Sequence, residues 1–451
     1  MPASSAWLDA DLPLSPVYPF NDPGAPITLY EGPVGGVGEL KLPGVVQYDC
    51  SPKLGISWRL RTEKHVPFQM ETDTLLLSDR GIELPVLSTR AVNGWSNGTS
   101  FGDPTVSLSR VVAHWFNLPR WRGSAHLSSH NSEGAPQCIP AGRSVYQVDG
   151  WRITLDVRPD HNSVLSDVRQ ADVYVMTHVM EIRRLNGTAF TVTEVKSVLS
   201  ALHVGLSFAL GRWVAPALPV GQDDQGDDVW GEWGPLFCDP ARNVSSGWWY
   251  PEDQVALGDL LTCLLPAFRD RRRKQSLRLQ MQYAITALAD RGFVEQRIMI
   301  GAAGLEHLMW QSLKLTGRLT ETEYNNTRVW PAHRKLRTVL ADAKINLKVK
   351  AESLPAAAKF AAEQQASGGQ VVDGADIVTR VRNRLVHPKE EQESVYRIKG
   401  LVTDTWLLTR HYLALLILHS IGYRSSYQDL SRTDGWVGET MPAPWATGQH
   451  Q

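Results

Sequence analysis

The sequence predicts an α+β protein: a β-rich, sandwich-like N-terminal region followed by an all-α helical bundle. Three observations carry this expectation. From about Pro16 to Pro219 the chain is a series of short extended runs broken by Gly, Pro, Asn and Asp, with alternation in WRITLDV and β-branched residues in AFTVTEV. After Pro251 the texture changes to apolar residues at helical spacing. Over 451 residues, 43% hydrophobic and 21% charged content is ordinary for globular chains and leaves room for two to three domains.

Taken in order, ITLYEG, LGISWRLR, TLLLSDRG, GWRITLDVRPD and ADVYVMTHVMEIRRLNG read as strands separated by turn signals. VTEVKSVLSALHVGLSFALG, ending at Gly211, has the helix formers and three-to-four spacing of a single helix. PVGQDDQGDDVWGEWGP is acidic, rich in Gly and without period, which predicts a linker over 219–235 closing a first region of residues 1–235. Its Trp230 and Trp233, if exposed in an acidic loop, suit a ligand or partner surface, whereas most other tryptophans in the β-rich half are expected in the core. Helices follow at about 253–274, 277–290, 293–315, 331–347, 354–365, 374–387 and 391–421, forming a bundle over 236–422. Residues 423–451, polar with Gly and Pro, read as a flexible tail.

Charge and cysteine usage narrow the function. Lys and Arg total 46 against 47 Asp and Glu, so no global positive field draws the chain to nucleic acid or membrane, and any such contact is local. The scattered Cys50, Cys138, Cys238 and Cys263 form no CxxC pair and no disulfide framework. With a start that lacks a basic region followed by an apolar one, this predicts a cytosolic protein. The apolar run from Trp406 to Ile421 falls short of the roughly 20 residues of a membrane span and reads as a buried helix. No His/Cys cluster has zinc spacing, DDQGDD lacks a calcium-loop pattern, and there is no P-loop or GxSxG, so neither a metal nor a cofactor is expected.

The stretch that carries chemistry is VRNRLVHPK. In GADIVTRVRNRLVHPK, Ile377, Val378, Val381 and Leu385 form one amphipathic face, and the polar members lie elsewhere. Asn383 and His387 are four apart, so the amide is expected to hold the imidazole, while Arg382 sits on an adjacent face and Pro388 ends the helix. An imidazole can move a proton to or from a ribose oxygen while a guanidinium grips the phosphate, which is what metal-free RNA cleavage needs. Arg-x4-His alone is expected about once by chance in a chain with 13 histidines, and RVWPAH (Arg328 to His333) is such a match, broken by Pro331 and lacking the asparagine. Glu306, beside the apolar stripe of Ile298, Ala302, Leu305 and Met309, is placed to pair with Arg382 or Arg384, although a solvated or structural role is the commoner fate of such a carboxylate. RDRRRK (Arg269 to Lys274) reads as a solvated helix end, with RNA contact as the less favoured role.

RNRLVH in this helical setting resembles the HEPN ribonuclease motif of Arg, a polar residue, three residues and His near a helix end. The resemblance covers the helical part and implies a metal-independent endoribonuclease acting as a homodimer, with Arg382 on the scissile phosphate, Asn383 supporting the site, His387 as general acid or base, and Arg384 as a further phosphate contact. Two other segments, RIMIGAAGLEHLMWQSL and VVAHWFNLPRW, resemble those of ApeA-like anti-phage defence proteins. That resemblance implies an abortive-infection effector whose N-terminal region meets a phage or host protein trigger. Two alternatives stand beside it: a non-catalytic RNA- or nucleotide-binding module with a partner-binding β-rich region, and a carbohydrate-binding sandwich carried on a dimerisation scaffold.

Overall fold

The computed structural model describes residues 10–36, 38–62, 73–90, 92–130, 136–169, 171–241, 247–289, 292–368, 371–387, 393–433, 436 and 438–446. The chain divides into two compact units, Met1–His203 with Trp213–Asn243, and Val204–Arg212 with Val244–Gln451. The first is β-rich and the second helical, as the sequence predicts.

In the first unit, seven antiparallel strands form one sheet: β1 (Ile27–Gly36), β2 (Gly38–Cys50), β3 (Leu54–Leu60), β4 (Thr74–Leu77), β5 (Ile82–Pro85), β6 (Leu87–Arg90) and β7 (Asn93–Ser96). Their order is β5-β4-β1-β2-β3-β7-β6. Burial alternates along β3, because a pleated strand sends successive side chains to opposite faces. The inward set, including Tyr48, Ile56 and Trp58, shares one core with Phe116, Met176, Leu218 and Trp233.

Those last residues belong to an eight-stranded sheet. Its strands are β8 (Thr99–Gly102), β10 (Arg110–Phe116), β11 (Ala125–His130), β12 (Pro136–Val148), β13 (Trp151–Val157), β14 (Met176–Arg184), β16 (Ala215–Gln222) and β17 (Asp228–Trp233). The order is β11-β12-β13-β14-β10-β16-β17-β8, and a separate short pair joins β9 (Ser107–Leu108) to β15 (Phe190–Thr191). One helix, α1 (His161–Val168), interrupts the expected run of strands, and α2 (Val192–Leu210) forms where helical spacing predicts it.

The expected linker at 219–235 is instead the core hairpin β16-β17. Three of its acidic residues, Asp223, Asp224 and Asp227, lie in the turn, where Asp223 Oδ1 accepts from the amides of Gln225, Gly226 and Asp227, while Asp228 and Glu232 belong to β17. The prolines of APALPVGQ disguise the strand, yet Pro219 falls where the β10-β16 register slips, beside Leu218 at φ 51°, so its missing N–H costs no ladder bond. Trp230 and Trp233 are both buried and offer no partner surface.

The helical unit contains α3 (Gln254–Arg269), α4 (Arg271–Leu288), α5 (Val294–Met309), α6 (Glu321–Asn325), α7 (Ala332–Asp342), α8 (Pro355–Gly368), α9 (Gly374–Val386), α10 (Glu393–Tyr396) and α11 (Leu401–Ile421), with a π-helical turn (Trp310–Leu315) after α5. The predicted 253–274 helix breaks early because Asp270 is extended and its carboxylate accepts from the amides of Arg272 and Arg273. RDRRRK therefore opens α4, with Arg271 to Lys274 in its first turn, where the helix dipole disfavours cations. The predicted 391–421 helix splits at Gly400, whose φ of 92° suits glycine.

The apolar run extends back to Leu401, so α11 has the length of a membrane span, but 83% of its most apolar window is buried inside the unit. It is the core helix. Its buried Arg410 donates to the Leu430 carbonyl at 2.8 Å, and His411 lies 3.1 Å from Asp429. Because those partners come from beyond Gly422, the stretch expected to be a flexible tail is packed in: Tyr423, Tyr427, Leu430 and Ala443 are buried, and β18 (Ser426–Tyr427) pairs with β19 (Met441–Pro442).

Candidate functional site

The candidate site is built on α9, whose start is tightly fixed. Asp373 and Asp376 form a reciprocal capping box. Arg337 of α7 spans both carboxylates, with Nε donating to Asp373 at 2.7 Å and Nη2 to Asp376 at 2.6 Å. Burial pushes the Asp373 carboxyl up, but its hydrogen bonds, led by that from Arg337, outweigh this and hold it below the usual range. At the first helical residue, Gly374 lets α9 close on α11, since a Cβ there would sit 2.0 Å from the Tyr412 hydroxyl. Ile377, Val378 and Val381 then bury the apolar face. The polar face is left at the other end, where the motif lies.

Arg382 projects toward α5 and α7 at a cleft of about 20 Å³, floored by Ala302, Leu305, Leu336 and Val378. That volume holds one water and no nucleotide, so a polymeric ligand can only lie across its mouth. The guanidinium is 3.4 Å from Glu306, the pairing expected for that carboxylate, and Nη1 donates to Asn383 Oδ1 at 3.2 Å. Arg382 Nε is buried with no hydrogen-bond partner among the described residues. With the Glu306 side chain half exposed, the ion pair contributes less than about 1 kcal/mol, so an anion can displace it at low cost.

The expected clasp of Asn383 on His387 is not what the structure shows: the amide oxygen is turned to Arg382. His387 caps the C-terminus of α9, its amide donating to the Asn383 carbonyl at 2.8 Å, and its side chain is exposed. Arg382 and His387 are five residues apart, which in helical geometry is about 140° around the axis and about 7.5 Å along it. Pro388 and Lys389 lie outside the described residues. Arg384 is drawn away from the cleft, its guanidinium carbon 5.2 Å from the centre of the Phe360 ring.

Two residues that sequence reasoning passed over also face Glu306. Lys335 of α7, largely buried, lies 3.8 Å from the centre of the Tyr324 ring. Burial lowers its pKa and the charge of Glu306 opposes that; burial raises the Tyr324 hydroxyl, with Glu306 adding to the effect. The available signal was a lysine flanking the buried Leu336 on the amphipathic α7. The RVWPAH match behaves as its proline predicts: Pro331 is the N-cap of α7, so Arg328 precedes the helix that holds His333.

Fold and site together define a class: a β-sandwich unit with a helical unit whose exposed helix end carries arginine, asparagine and histidine. Residues 103–244 match the family described as the YopA central domain, and residues 270–442 that described as the YopA C-terminal domain. The chain is also 24% identical over 314 residues to the SPbeta prophage-derived uncharacterized protein YopA of Bacillus subtilis (strain 168), covering 68% of this chain and 67% of that protein. No solved structure matches it significantly. The central match takes in most of the eight-stranded sheet and the C-terminal match most of the helical unit, while the seven-stranded sheet lies outside both.

Proposed function

We propose that the helical unit is a metal-independent endoribonuclease of the HEPN type, working as a homodimer in the cytoplasm within an anti-phage abortive-infection response. The observation that carries this reading is the state of Arg382: a guanidinium at a cleft mouth, weakly held by Glu306 and with a buried donor unused, on the same helix end as an exposed histidine. Arg382 grips the phosphate, and His387 takes the proton of the ribose 2′-hydroxyl. The 2′-oxygen attacks phosphorus, the P–O5′ bond breaks, and the departing 5′-oxygen takes a proton from the second copy's imidazole. The products carry a 2′,3′-cyclic phosphate and a 5′-hydroxyl. The prophage origin in the relative's description supports a phage setting. A phage or host protein met by the β-rich unit is the trigger in this reading.

The test is cleavage of single-stranded RNA by the purified chain in excess chelator, with His387→Ala and Arg382→Ala beside it. Cyclic-phosphate ends from the wild type and their loss in both variants are expected. Cleavage by His387→Ala at the wild-type rate sinks the reading. The turn of Asn383 away from the imidazole favours a second reading, in which the helix end binds RNA or nucleotide without cutting it. Under it, Arg382→Ala weakens RNA binding and no protein in the series yields products.

A further inference from the structure

The seven-stranded sheet carries a polar groove on its outward face, remote in sequence from the α9 motif. The groove encloses about 390 Å³ across β2, β3 and β7, and its lining includes Gln47, Ser57, Arg59, Asn93 and Trp95. This volume lies in the roughly 300–1,000 Å³ range of small-molecule sites. Strand register places these residues together. Gln47 is opposite Ser57 and Ser57 opposite Trp95, while Arg59 is opposite Asn93 one pleat away, so all five share the face opposite Tyr48 and Ile56 in the core.

Trp95 is 54% exposed, in contrast to Trp58, Trp115, Trp230 and Trp233 of the same unit, which are buried. Leu87, across from Trp95 on β6, is also exposed, so the indole stands on an open platform. Ser57 donates to the half-buried Asp49 carboxylate at 2.8 Å, which orients a hydroxyl and a carboxylate beside the indole. Opposite Asp49, Gly55 has nothing within 4 Å of where a Cβ would be, so packing does not require the glycine, and its bareness keeps that side of the groove open.

The chemistry selects the ligand class. A peptide added as a strand needs an unpaired edge, but β2, β3 and β7 are interior strands with a neighbour on each side. An amphipathic helix needs an apolar trough, whereas this lining is amide, hydroxyl and guanidinium apart from Gly94 and two indoles, of which Trp58 is buried and Trp95 alone is exposed. A nucleic-acid backbone needs several cations, and Arg59 is the one cation among the lining residues, with Asp49 nearby. What remains is a ligand with a flat face for the indole and many neutral hydroxyls for the amides. We infer that this face of the β-rich unit binds a short oligosaccharide, with one sugar ring stacked on Trp95 and its hydroxyls bonded by Gln47, Asn93, Arg59 and the Ser57–Asp49 pair. The inference is independent of RNA cleavage.

The test is calorimetric and intrinsic-fluorescence titration of the full chain with chitotetraose, cellotetraose and maltotetraose. Saturable binding of at least one, with a shift in tryptophan emission, is expected. Trp95→Ala should weaken it by about tenfold or more, equivalent to losing about 1.4 kcal/mol. Asn93→Ala should weaken it severalfold with an unchanged circular dichroism spectrum, and Trp436→Ala, which removes an exposed indole of the helical unit, should leave it unaltered. Absence of saturation with all three sugars, or equal affinity in wild type and Trp95→Ala, overturns the inference. So does salt-sensitive binding of heparin in their place, which would mark a site read by charge.

Discussion

His114 on β10 is wholly buried, with Nδ1 3.2 Å from the Leu218 carbonyl and Nε2 accepting from the Val17 amide at 3.2 Å. This pair of partners suits a neutral ring with its proton on Nδ1. Burial lowers the pKa to about 4 against an ordinary 6.5, and the backbone partners only partly oppose it. The unfolded chain therefore takes up the proton at a higher pH than the folded one. Stability is intact above about pH 6.5, falls as pH drops from there toward about 4, and levels off below. At about 1.4 kcal/mol per pKa unit, the full effect is on the order of 3 kcal/mol. Buried His161 and His178, both also lowered, act with the same sign. Urea unfolding followed by tryptophan fluorescence at about pH 7 and about pH 4.5 measures most of this term, and His114→Gln, which keeps one donor and one acceptor, removes it. The wild type should lose on the order of 2 kcal/mol more than the variant over that interval. Equal pH dependence of the two proteins would refute the assignment.

Three further outcomes follow from packing. Gly374→Ala should cost the helical unit about 1–2 kcal/mol, the overpacking against Tyr412 exceeding the gain in helix propensity, and Tyr412→Phe should recover part of it; additive effects in a double-mutant cycle would contradict the clash. Tyr18→Phe removes the acceptor 2.7 Å from the Trp233 indole N–H inside the β-sandwich core, and a loss of about 1–3 kcal/mol in denaturant unfolding is expected, with a negligible change counting against it. Asp404→Ala deprives the first turn of α8 of the carboxylate that accepts from the Ala356 and Ala357 amides at 2.8 and 2.9 Å; about 1–2 kcal/mol should be lost, and hydrogen exchange at those two amides should quicken before that of α11.

Where local pattern matched the forces that decide a segment, reading it in order sufficed. Alternation in LGISWRL became the alternating burial of β3, and the apolar face of GADIVTRVRNRLV became the buried face of α9, capped by Asp373. The reading failed where composition and environment diverged. Prolines and acidic residues concealed β16-β17, because a register slip absorbs Pro219 and one aspartate organises the turn. The polar segment after Gly422 reads as a flexible tail, yet it packs on α11, with its Leu430 carbonyl accepting from the buried Arg410 and its Asp429 3.1 Å from the buried His411.

The sequence by itself determined the order of classes, strands before helices, and the helical register that places Arg382, Asn383 and His387 together at one helix end. These follow from the periods of strand and helix, which are properties of neighbouring residues. Only the tertiary structure decided that Arg382 meets Glu306 while Arg384 lies on Phe360, that Lys335 lies over Tyr324, and that Trp95 is exposed while Trp233 is buried. Those outcomes depend on which faces of distant segments are brought together, and a charge or an indole carries no record in its own neighbourhood of the partner that will cover it.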